Sequence, residues 1–320
     1  MNKLDKMDQK ILQLLDWHGR MPLNQIAKKI GSNKDVVAYR IKKMEQADII
    51  TRYFPVLDMS KLGYHTSRIY FDLEEMNQSE ENSFVQFLDE KINAGVIFRM
   101  DYPYRHGIII WTKSIYEIEP LLLQIKRHLG KHLLRYNYTL FCTYKMYPKD
   151  YLFGKKHHDT SYLNKPNEKQ EYNQDYEQEE YDILKLLADD ARISTVELSR
   201  ILNIPQTTIS HKLKKLEQEK IILGYRAQIN YAKLGYTNYF LEIYLEENTE
   251  LKQIESWTNT HPHTVWLQKV IGTCDIEIEV EVNGRQQLEQ LLQELRRRFP
   301  SIRKIIFFSQ EYKKMTFLPG

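Results

Sequence analysis

The 320-residue sequence lacks several features that define whole classes of protein. It has two cysteines, Cys142 and Cys274, which are too few for a disulfide framework or a metal knuckle and favour a reducing, cytoplasmic setting. Its longest apolar runs, such as 107–111, fall far short of the ~20 residues that a membrane span needs. The residues after Met1 open directly into an amphipathic pattern, so we expect no signal peptide. The net charge of +3 is too small to indicate nucleic-acid binding, so any DNA-binding charge must be local.

Motifs for common catalytic chemistry are also missing. The sequence shows no Ser/His/Asp set, no phosphate-binding loop and no metal-ligand spacing. The adjacent histidines His157 and His158 have no second ligand pair, so we interpret them as ordinary linker residues. The sequence therefore predicts a protein that is not an enzyme and that carries no cofactor and no metal.

The main positive feature is an internal repeat. Segment 11–64 matches segment 183–236 without a gap at an offset of 172 residues, and 16 of the 54 pairs are identical. Unrelated segments would match at roughly one pair in fifteen. The period far exceeds the 20–50 residues of a solenoid unit, so the chain is a duplication of a whole domain pair.

Each half begins with the pattern of a helix-turn-helix unit. In the first half, apolar residues at helical spacing predict one helix and then a second, short helix that ends at Gly31, a residue suited to the left-handed stop. Asn33 then offers an N-cap for a third helix. A β-rich stretch at 49–54, bounded by Pro55, follows. This is the order of a winged helix-turn-helix domain.

The outer face of the third helix carries residue types that suit DNA. Polar side chains there can hydrogen-bond to base edges, and cations can contact phosphates. An ordinary solvated helix face looks similar, but the position in the unit, seen twice, favours DNA. The predicted DNA-binding residues are Asn33, Lys34, Ala38, Tyr39, Arg40, Lys42 and Lys43 in the first half and Gln206, Thr207, Ser210, His211, Lys212, Lys214 and Lys215 in the second.

The two units differ in charge and in capping. Residues 1–53 contain eleven Lys and Arg against six Asp and Glu, a net +5, whereas residues 178–226 contain eight of each. Asp35 would lie near the groove, where phosphate repels a carboxylate unless the carboxylate accepts from a cytosine amine. Pro205 stands where the first half has the N-cap Asn33. We therefore expect the first unit to supply more phosphate affinity.

A second type of domain follows each helix-turn-helix unit. Strand and helix patterns alternate in the order β-α-β-β-α-β, which is that of the ferredoxin-like fold. In the strand 275–282 apolar and acidic residues alternate strictly, and we expect the acidic side to be a sheet edge or a face in water. The predicted fold class is α+β, with two winged helix-turn-helix domains alternating with two ferredoxin-like domains.

The predicted domain boundaries follow these patterns. The stretch between the halves has no hydrophobic period, which indicates a solvated linker. The units are a helix-turn-helix domain at 1–54, a ferredoxin-like domain at 64–152, the linker at 153–177, a second helix-turn-helix domain at 178–226 and a second ferredoxin-like domain at 236–320.

This arrangement resembles the Lrp/AsnC (feast/famine) family of transcriptional regulators, and the doubled form looks like its long archaeal members. The resemblance covers almost all of both halves. The matching segments are 4–8 before the first helix, Ile26 and Ala27 in the second, 37–45 in the third, Ile49, Ile50 and Tyr53 after it, the Lys-Leu-Gly-Tyr tetrads at 61–64 and 233–236, and 271–275.

The resemblance implies partners as well as a fold. These are double-stranded DNA, bound by paired helix-turn-helix units, self-association through the sheets of the ferredoxin-like domains, and a small-molecule effector such as an amino acid. The family's effector turn is Gly-x-x-Asp, which Gly272 and Asp275 match, while the first half has 104–107 there instead. Asp48 and Lys220 depart from the family, whose members usually have a helix-ending glycine at this position.

Two other functions remain open from the sequence. Siroheme decarboxylases resemble this family, and Arg99, Tyr102, Arg105 and His106 faintly match the His and Arg residues that a tetrapyrrole pocket needs. A non-specific architectural DNA-binding protein is the other alternative, which a small specificity ratio against competitor DNA would support.

Overall fold

The computed structural model describes residues 4–154, 161–164, 176–246, 250–316 and 318. The first half contains α1 (Lys6–Trp17), α2 (Leu23–Ile30), α3 (Lys34–Gln46), β1 (Ile50–Leu57), β2 (His65–Leu73), α4 (Gln78–Glu90), β3 (Val96–Met100), β4 (His106–Thr112), α5 (Ile118–Leu129), β5 (Leu133–Met146) and β6 (Tyr162–Asn164).

The second half repeats this order from its first helix onward. Its elements are α6 (Gln178–Asp189), α7 (Thr195–Leu202), α8 (Gln206–Gln218), β7 (Ile222–Ile229), β8 (Thr237–Leu245), α9 (Leu251–Thr258), β9 (Thr264–Ile271), β10 (Ile276–Val282), α10 (Arg285–Arg298) and β11 (Ile302–Met315). The repeat seen in the sequence is thus a repeat of structure.

Local sequence signals account for the helix-turn-helix boundaries. The Asp5 side chain accepts hydrogen bonds from the first backbone N–H groups of α1 and forms a capping box with Asp8. The helix α2 ends at Gly31, whose φ of 70° is the left-handed conformation that glycine adopts at low cost. Asp48 and Lys220, where the family resemblance leads us to expect glycine, adopt the same geometry with φ of 55° and 60°. These two residues therefore hold a strained turn that glycine would relax.

The strand after the third helix pairs across the halves. β1 and β7 form an antiparallel two-stranded ribbon in which Phe54 lies opposite Arg226. Residues 54 and 226 are equivalent under the 172-residue repeat, so the ribbon has a local two-fold axis at this pair. Pro55 lies inside β1 rather than ending it, because a two-stranded ribbon has an outer edge on which a missing N–H costs nothing. The two helix-turn-helix units are thus joined directly to each other.

The strands of the two α/β parts join into one closed ring of eight. The order is β2-β4-β3-β11-β8-β10-β9-β5, and β5 pairs back with β2. The halves meet where β3 pairs with β11 and where β5 pairs with β9. These two junctions are equivalent under the repeat, so the ring shares the approximate two-fold symmetry of the ribbon.

The ring corrects part of the predicted architecture. The α+β class and the helix-turn-helix elements are confirmed, and each half has the order β-α-β-β-α-β. The two sheets are not separate, because each has two edge strands whose unpaired backbone groups bond to the other half. The pairing of sheets that the family resemblance implies is made here between the two halves of one chain.

The acidic strand β10 corrects a second expectation. Glu277, Glu279 and Glu281 do not face water; each is at most 2% exposed, because the closed ring covers this face of the strand. Arg68 on β2 reaches across the interior and places Nη1 2.9 Å from Glu277 and Nη2 3.3 Å from Glu279. The strict alternation in the sequence identified an apolar face and an acidic face of β10, but it does not show that other strands cover the acidic face.

The interior holds more carboxylates than cations around Arg68. Glu242 on β8 is fully buried and accepts a hydrogen bond from Tyr244 at 3.0 Å. Burial raises the pKa of Glu277 to about 7 although Arg68 opposes the shift, and burial likewise raises the pKa of Glu279 and of Glu242. This cluster therefore binds protons more tightly in the folded chain than in the unfolded one.

Part of the predicted linker 153–177 packs against the fold. β6 pairs with β5, and the Tyr162 ring stacks on Trp17 with ring centroids 4.1 Å apart. A Cβ on Gly224 would collide with the Tyr162 hydroxyl, so a larger residue at this position would displace the ring. His157, His158 and most of the remaining linker lie outside the described residues.

Two further properties concern the described residues as a whole. None of their helices is long and apolar enough to cross a membrane. They contain no group of three or more His, Cys, Asp or Glu that could hold a metal ion. The cytoplasmic location stays a prediction.

Candidate DNA interface

The third helices α3 and α8 begin differently. The Asn33 side chain accepts a hydrogen bond from the Val36 backbone N–H at 2.8 Å, which satisfies one of the unpaired donors at the start of α3. α8 begins after Pro205, which provides no side-chain cap. The difference in capping predicted from the sequence is therefore present in the structure, and it leaves the start of α8 less stabilised.

The predicted contacts of the first unit lie mainly in solvent. Tyr39 is 68% exposed, and its ring stands away from the apolar core beneath α3. The exposed members of the set are Asn33, Lys34, Tyr39, Lys42 and Lys43, whereas Ala38 and Arg40 are half-buried. The first unit thus presents three exposed lysines on one helix.

Arg40 is engaged in contacts within its own unit. Its Nη1 lies 2.6 Å from Asp5 and 2.8 Å from Asp8, the two residues that form the capping box of α1. The guanidinium therefore ties the third helix to the start of the first. This role differs from the phosphate contact predicted for Arg40.

In the second unit more of the predicted cations form ion pairs with carboxylates of their own unit. Lys212, the equivalent of Arg40, is 9% exposed and forms ion pairs with Glu177 and, at 3.0 Å, with Glu179. Lys215 lies 2.8 Å from Glu180. The exposed members of the second predicted set are Gln206, Thr207, Ser210, His211 and Lys214.

The second face therefore has less cationic surface than the first. Among the three lysines predicted on α8, only Lys214 has no ion pair with any residue that the structure describes. Gln206 donates from Nε2 to Thr195 Oγ1 at 3.0 Å, which holds this amide against α7. The difference in exposed positive charge between the two recognition helices is therefore larger than the residue counts of the two units indicate.

The predicted effector residues have structural contacts. A Cβ on Gly272 would lie 2.8 Å from the Tyr138 carbonyl oxygen, so glycine permits the close approach of β9 to β5. The Asp275 carboxylate accepts a hydrogen bond from the Leu245 backbone N–H at 2.8 Å. Both residues thus contribute to the local backbone arrangement of the second half.

A cavity lies at the equivalent turn of the first half. It has a volume of about 710 Å³ and is lined by residues 72, 73 and 99–105 of the first half together with 231, 232, 236–238 and 309–311 of the second. Asn238 in its wall is 1% exposed, and its Oδ1 accepts no hydrogen bond from the described residues. The cavity therefore lies at the junction of the halves, with residues of both in its wall.

Three of the four residues suggested for a tetrapyrrole site meet in this cavity. Arg99, Tyr102 and Arg105 line it, and Tyr102 is 88% exposed. His106 is buried elsewhere, with its ring centroid 5.6 Å from that of Phe84. Burial, with nearby Arg99 and Arg105, lowers the pKa of His106 to about 4, so its ring is neutral at physiological pH.

Sequence reasoning missed the charged pair at the two-fold axis of the ribbon. Arg226 is 4% exposed, donates from Nε to the Asp16 carbonyl oxygen at 2.6 Å and forms a salt bridge with the Asp16 carboxylate. The repeat contained a signal for it: the equivalents of Asp16 and Arg226 are Ala188 and Phe54, so both charged positions are apolar in the other half.

A family model matches both helix-turn-helix units. The winged helix-turn-helix DNA-binding model covers residues 4–51 and 180–222. These are the two segments that contain the three-helix units and the start of each ribbon strand. The sequence repeat is therefore a repeat of a known DNA-binding unit.

The curated relatives are transcriptional regulators. An HTH-type transcriptional regulator of Pyrococcus horikoshii is 33% identical over 112 residues, which cover 35% of this chain and 71% of that protein. The HTH-type transcriptional regulator LrpB of Bacillus subtilis is 28% identical over 164 residues, which cover 50% of this chain and 97% of that protein. One half of this chain thus corresponds to nearly the whole of LrpB.

A solved structure matches the whole chain. The siroheme decarboxylase NirDL has a TM-score of 0.64 and is 12% identical, with coverage of 98% of this chain and 94% of that one. At this identity the likeness shows a shared fold alone. Together with the two matched helix-turn-helix units, the regulator relatives identify the chain: it belongs to the Lrp/AsnC family of DNA-binding helix-turn-helix transcriptional regulators.

Proposed function

We propose that this regulator binds DNA sequence-specifically as a pseudo-dimer formed by one chain, with two unlike recognition helices. The observation that carries the proposal is the β1–β7 ribbon, which joins two helix-turn-helix units about a local two-fold axis. Single-copy helix-turn-helix proteins need two chains to place two recognition helices on adjacent major grooves. Here the two ferredoxin-like halves of the ring and the ribbon supply that pairing within the chain.

The proposed contacts divide into base-reading and phosphate-binding groups. Exposed polar side chains at the start and middle of each third helix suit base edges, and the half-buried methyl group of Ala38 suits a thymine methyl group. Exposed lysines toward the end of α3 suit phosphates, and Lys34 adds a cation at its start. The base-reading set is Asn33, Ala38 and Tyr39 with Gln206, Thr207, Ser210 and His211, and the phosphate set is Lys34, Lys42, Lys43 and Lys214.

Arg40, Lys212 and Lys215 take a different part in the proposal. Each already has carboxylate partners on the first helix of its own unit. We assign them to positioning the recognition helix, with phosphate contact as a secondary role. The two faces then differ in kind: the first binds phosphate strongly, and the second contributes mainly hydrogen-bonding side chains.

Because the two faces differ, the site that they read need not be a palindrome. Each good bidentate contact discriminates between bases by about 1–3 kcal/mol, and the two helices carry different residues at equivalent positions. We therefore propose two unequal half-sites about one helical turn, or a multiple of it, apart.

A small-molecule effector fits the first-half cavity better than the turn at Gly272 and Asp275. The cavity is lined by the guanidinium groups of Arg99 and Arg105 and by carboxylates of both halves, a set that suits a zwitterion such as an amino acid. The Asp275 carboxylate is already bonded to backbone. Calorimetry with a panel of amino acids tests both sites: loss of binding in Arg105→Ala supports the cavity, and loss only in Asp275→Asn supports the turn.

The siroheme decarboxylase function is the second candidate, and one observation favours it. NirDL shares the fold of the whole chain and has been solved with an iron-uroporphyrin III analogue. Arg99, Tyr102 and Arg105 meet in one cavity here, but His106 does not reach it. A shift in visible absorption when siroheme is added to the purified chain would support an enzyme, and an unchanged spectrum would leave the regulator.

Mapping of the DNA bound in cells tests the main proposal. We expect discrete sites that share one motif, with binding that survives an excess of competitor DNA at physiological salt. A flat occupancy profile, with a specificity ratio near one across a salt series, would show a non-specific architectural protein instead.

A further inference from the structure

The loop between the first two helices of each helix-turn-helix unit contacts the other half. In the first unit Arg20 donates from Nη1 to the Ala191 carbonyl oxygen at 2.7 Å and from Nη2 to that of Ile193 at 3.1 Å. The same guanidinium lies over the Tyr225 ring, 5.2 Å from its centroid. One side chain therefore holds both the loop and the ribbon strand of the opposite half.

The contact is repeated in the reverse direction. Arg192, the equivalent of Arg20, donates from Nη2 to the Met21 carbonyl oxygen at 3.3 Å. Its guanidinium lies 4.8 Å from the centroid of the Tyr53 ring, and Tyr53 is the equivalent of Tyr225. Two equivalent contacts thus flank the two-fold axis, although Arg20 makes one backbone hydrogen bond more than Arg192 and the residues on the axis itself differ.

Each tyrosine passes the contact on to a recognition helix. The Tyr53 hydroxyl donates to Glu45 at 2.9 Å, and the Tyr225 hydroxyl donates to Glu217 at 2.8 Å. Both glutamates lie in the last turn of their third helix. The path therefore runs from the loop of one half, through an arginine and a tyrosine, to the end of the opposite recognition helix.

The backbone supports this path at two points. The Gly19 N–H donates to the Tyr225 carbonyl oxygen at 2.7 Å, and the Ala191 N–H donates to the Tyr53 carbonyl oxygen at 3.1 Å. A Cβ on Gly19 would lie 2.7 Å from the backbone of Arg226, so the loop approaches the ribbon closely. A two-stranded ribbon can twist on its own, and these lateral attachments restrict the twist.

The geometry points to Arg20 and Arg192 as positioning residues that set the distance and orientation between the two recognition helices, and hence the spacing of the DNA half-sites that the chain accepts. This inference rests on the proposed DNA-reading function. Each arginine acts through Tyr225 or Tyr53 and touches no proposed DNA contact, so it changes spacing without changing the residues that read bases.

The test is a spacing series with the full chain. Two half-sites selected with the wild-type protein are separated in single base-pair steps over about one helical turn. We expect the wild type to bind its preferred spacing about tenfold or more tightly than a spacing half a turn away, and the R20A/R192A variant to lose most of this ratio. We expect the affinity of the variant for an isolated half-site to stay within about twofold of the wild-type affinity. A general loss of structure would lower this affinity as well.

Control variants separate charge and folding from position. R285A/R303A also removes two arginines, both exposed and outside the helix-turn-helix units and the ribbon, and we expect it to keep the wild-type ratio of affinities between the two spacings. If R20A/R192A does not fold, Y53F/Y225F carries the test, because it keeps both rings and deletes the hydroxyl bonds of the path, those to Glu45 and Glu217 among them. If the contacts from the arginines through the tyrosines to Glu45 and Glu217 set the spacing, this variant also loses most of its preference for the wild-type spacing.

The failures of the two proposals differ. A wild-type chain with no sequence-specific binding contradicts the DNA-reading function and removes the basis of the inference with it. A wild type that binds specifically but tolerates every spacing, or an arginine variant that keeps the wild-type ratio, overturns the inference alone.

Discussion

The two helix-turn-helix units share a framework but differ in what they offer DNA. Both tie the third helix to the start of the first by a cation, Arg40 to Asp5 and Lys212 to Glu177. Beyond that contact the first unit exposes both Lys42 and Lys43, whereas at the equivalent positions of the second unit only Lys214 is exposed. After duplication, the contacts that hold the unit together were thus kept, whereas the surface that meets the ligand diverged.

The largest expected effect concerns the pair at the two-fold axis. Arg226→Ala leaves the Asp16 carboxylate buried without its guanidinium, so we expect a loss of about 3–5 kcal/mol in the free energy of unfolding. Chemical denaturation followed by circular dichroism measures it. The double variant D16A/R226F replaces both residues by those at the equivalent positions of the other half, Ala188 and Phe54, and it should recover most of the loss. A double variant as unstable as R226A would contradict this explanation.

The second prediction concerns pH and the acidic interior contributed by the second half. Because the pKa of Glu277 is raised to about 7 in the folded chain, its protonation stabilises the fold below its unfolded pKa of about 4.5, and this stabilisation is lost as the pH rises toward 7. The full difference is about 3 kcal/mol. In E277Q the decline in unfolding free energy between pH 5 and pH 8 should be smaller than in wild type. The exposed control E289Q should keep the wild-type decline, and equal slopes in all three would contradict the prediction.

The third prediction compares the lysines of the two recognition helices. K42A/K43A should weaken DNA binding about tenfold or more and reduce the slope of log affinity against log salt by about 2, since two phosphate contacts are removed. K214A/K215A should reduce the slope by only about 1, because Lys215 is paired with Glu180. Fluorescence anisotropy across a salt series measures both. Equal losses would break the comparison between the two units.

The smallest effect concerns the caps. Asn33→Ala removes the hydrogen bond from Val36 and should cost about 1 kcal/mol, whereas Pro205→Ala removes no side-chain cap and should cost less. Thermal unfolding of both variants checks the difference. A Pro205→Ala variant that loses as much stability as Asn33→Ala would show that the cap is not what distinguishes the two helices.

The sequence predicted what depends on neighbours along the chain. Asn33, Gly31 and the apolar period of the helices are local signals, so the three-helix units and their capping difference were found. The 172-residue repeat added the equivalence of Tyr53 with Tyr225, although it did not show that the two lie on paired strands. Family resemblance supplied the function, which the residues of the helices alone left open.

The rest depends on contacts between segments far apart in the chain. The alternation in β10 showed an acidic face, but Arg68 lies 209 residues from Glu277 in sequence, and nothing local links them. We ended the predicted strand at Pro55 because proline cannot donate to a strand on both sides. The sequence does not show that this strand pairs with only one other strand, β7 of the other half. The first-half cavity was missed for the same reason, since both halves line it.

The central claim is that one chain reads two unlike half-sites. Selection of bound sequences from a random DNA library by the purified chain, with the stoichiometry of the selected complex measured by analytical ultracentrifugation, tests it most directly. We predict a motif made of two different half-sites at one fixed spacing, bound by a single chain. A palindromic motif bound by two chains, each using only α3, would contradict it.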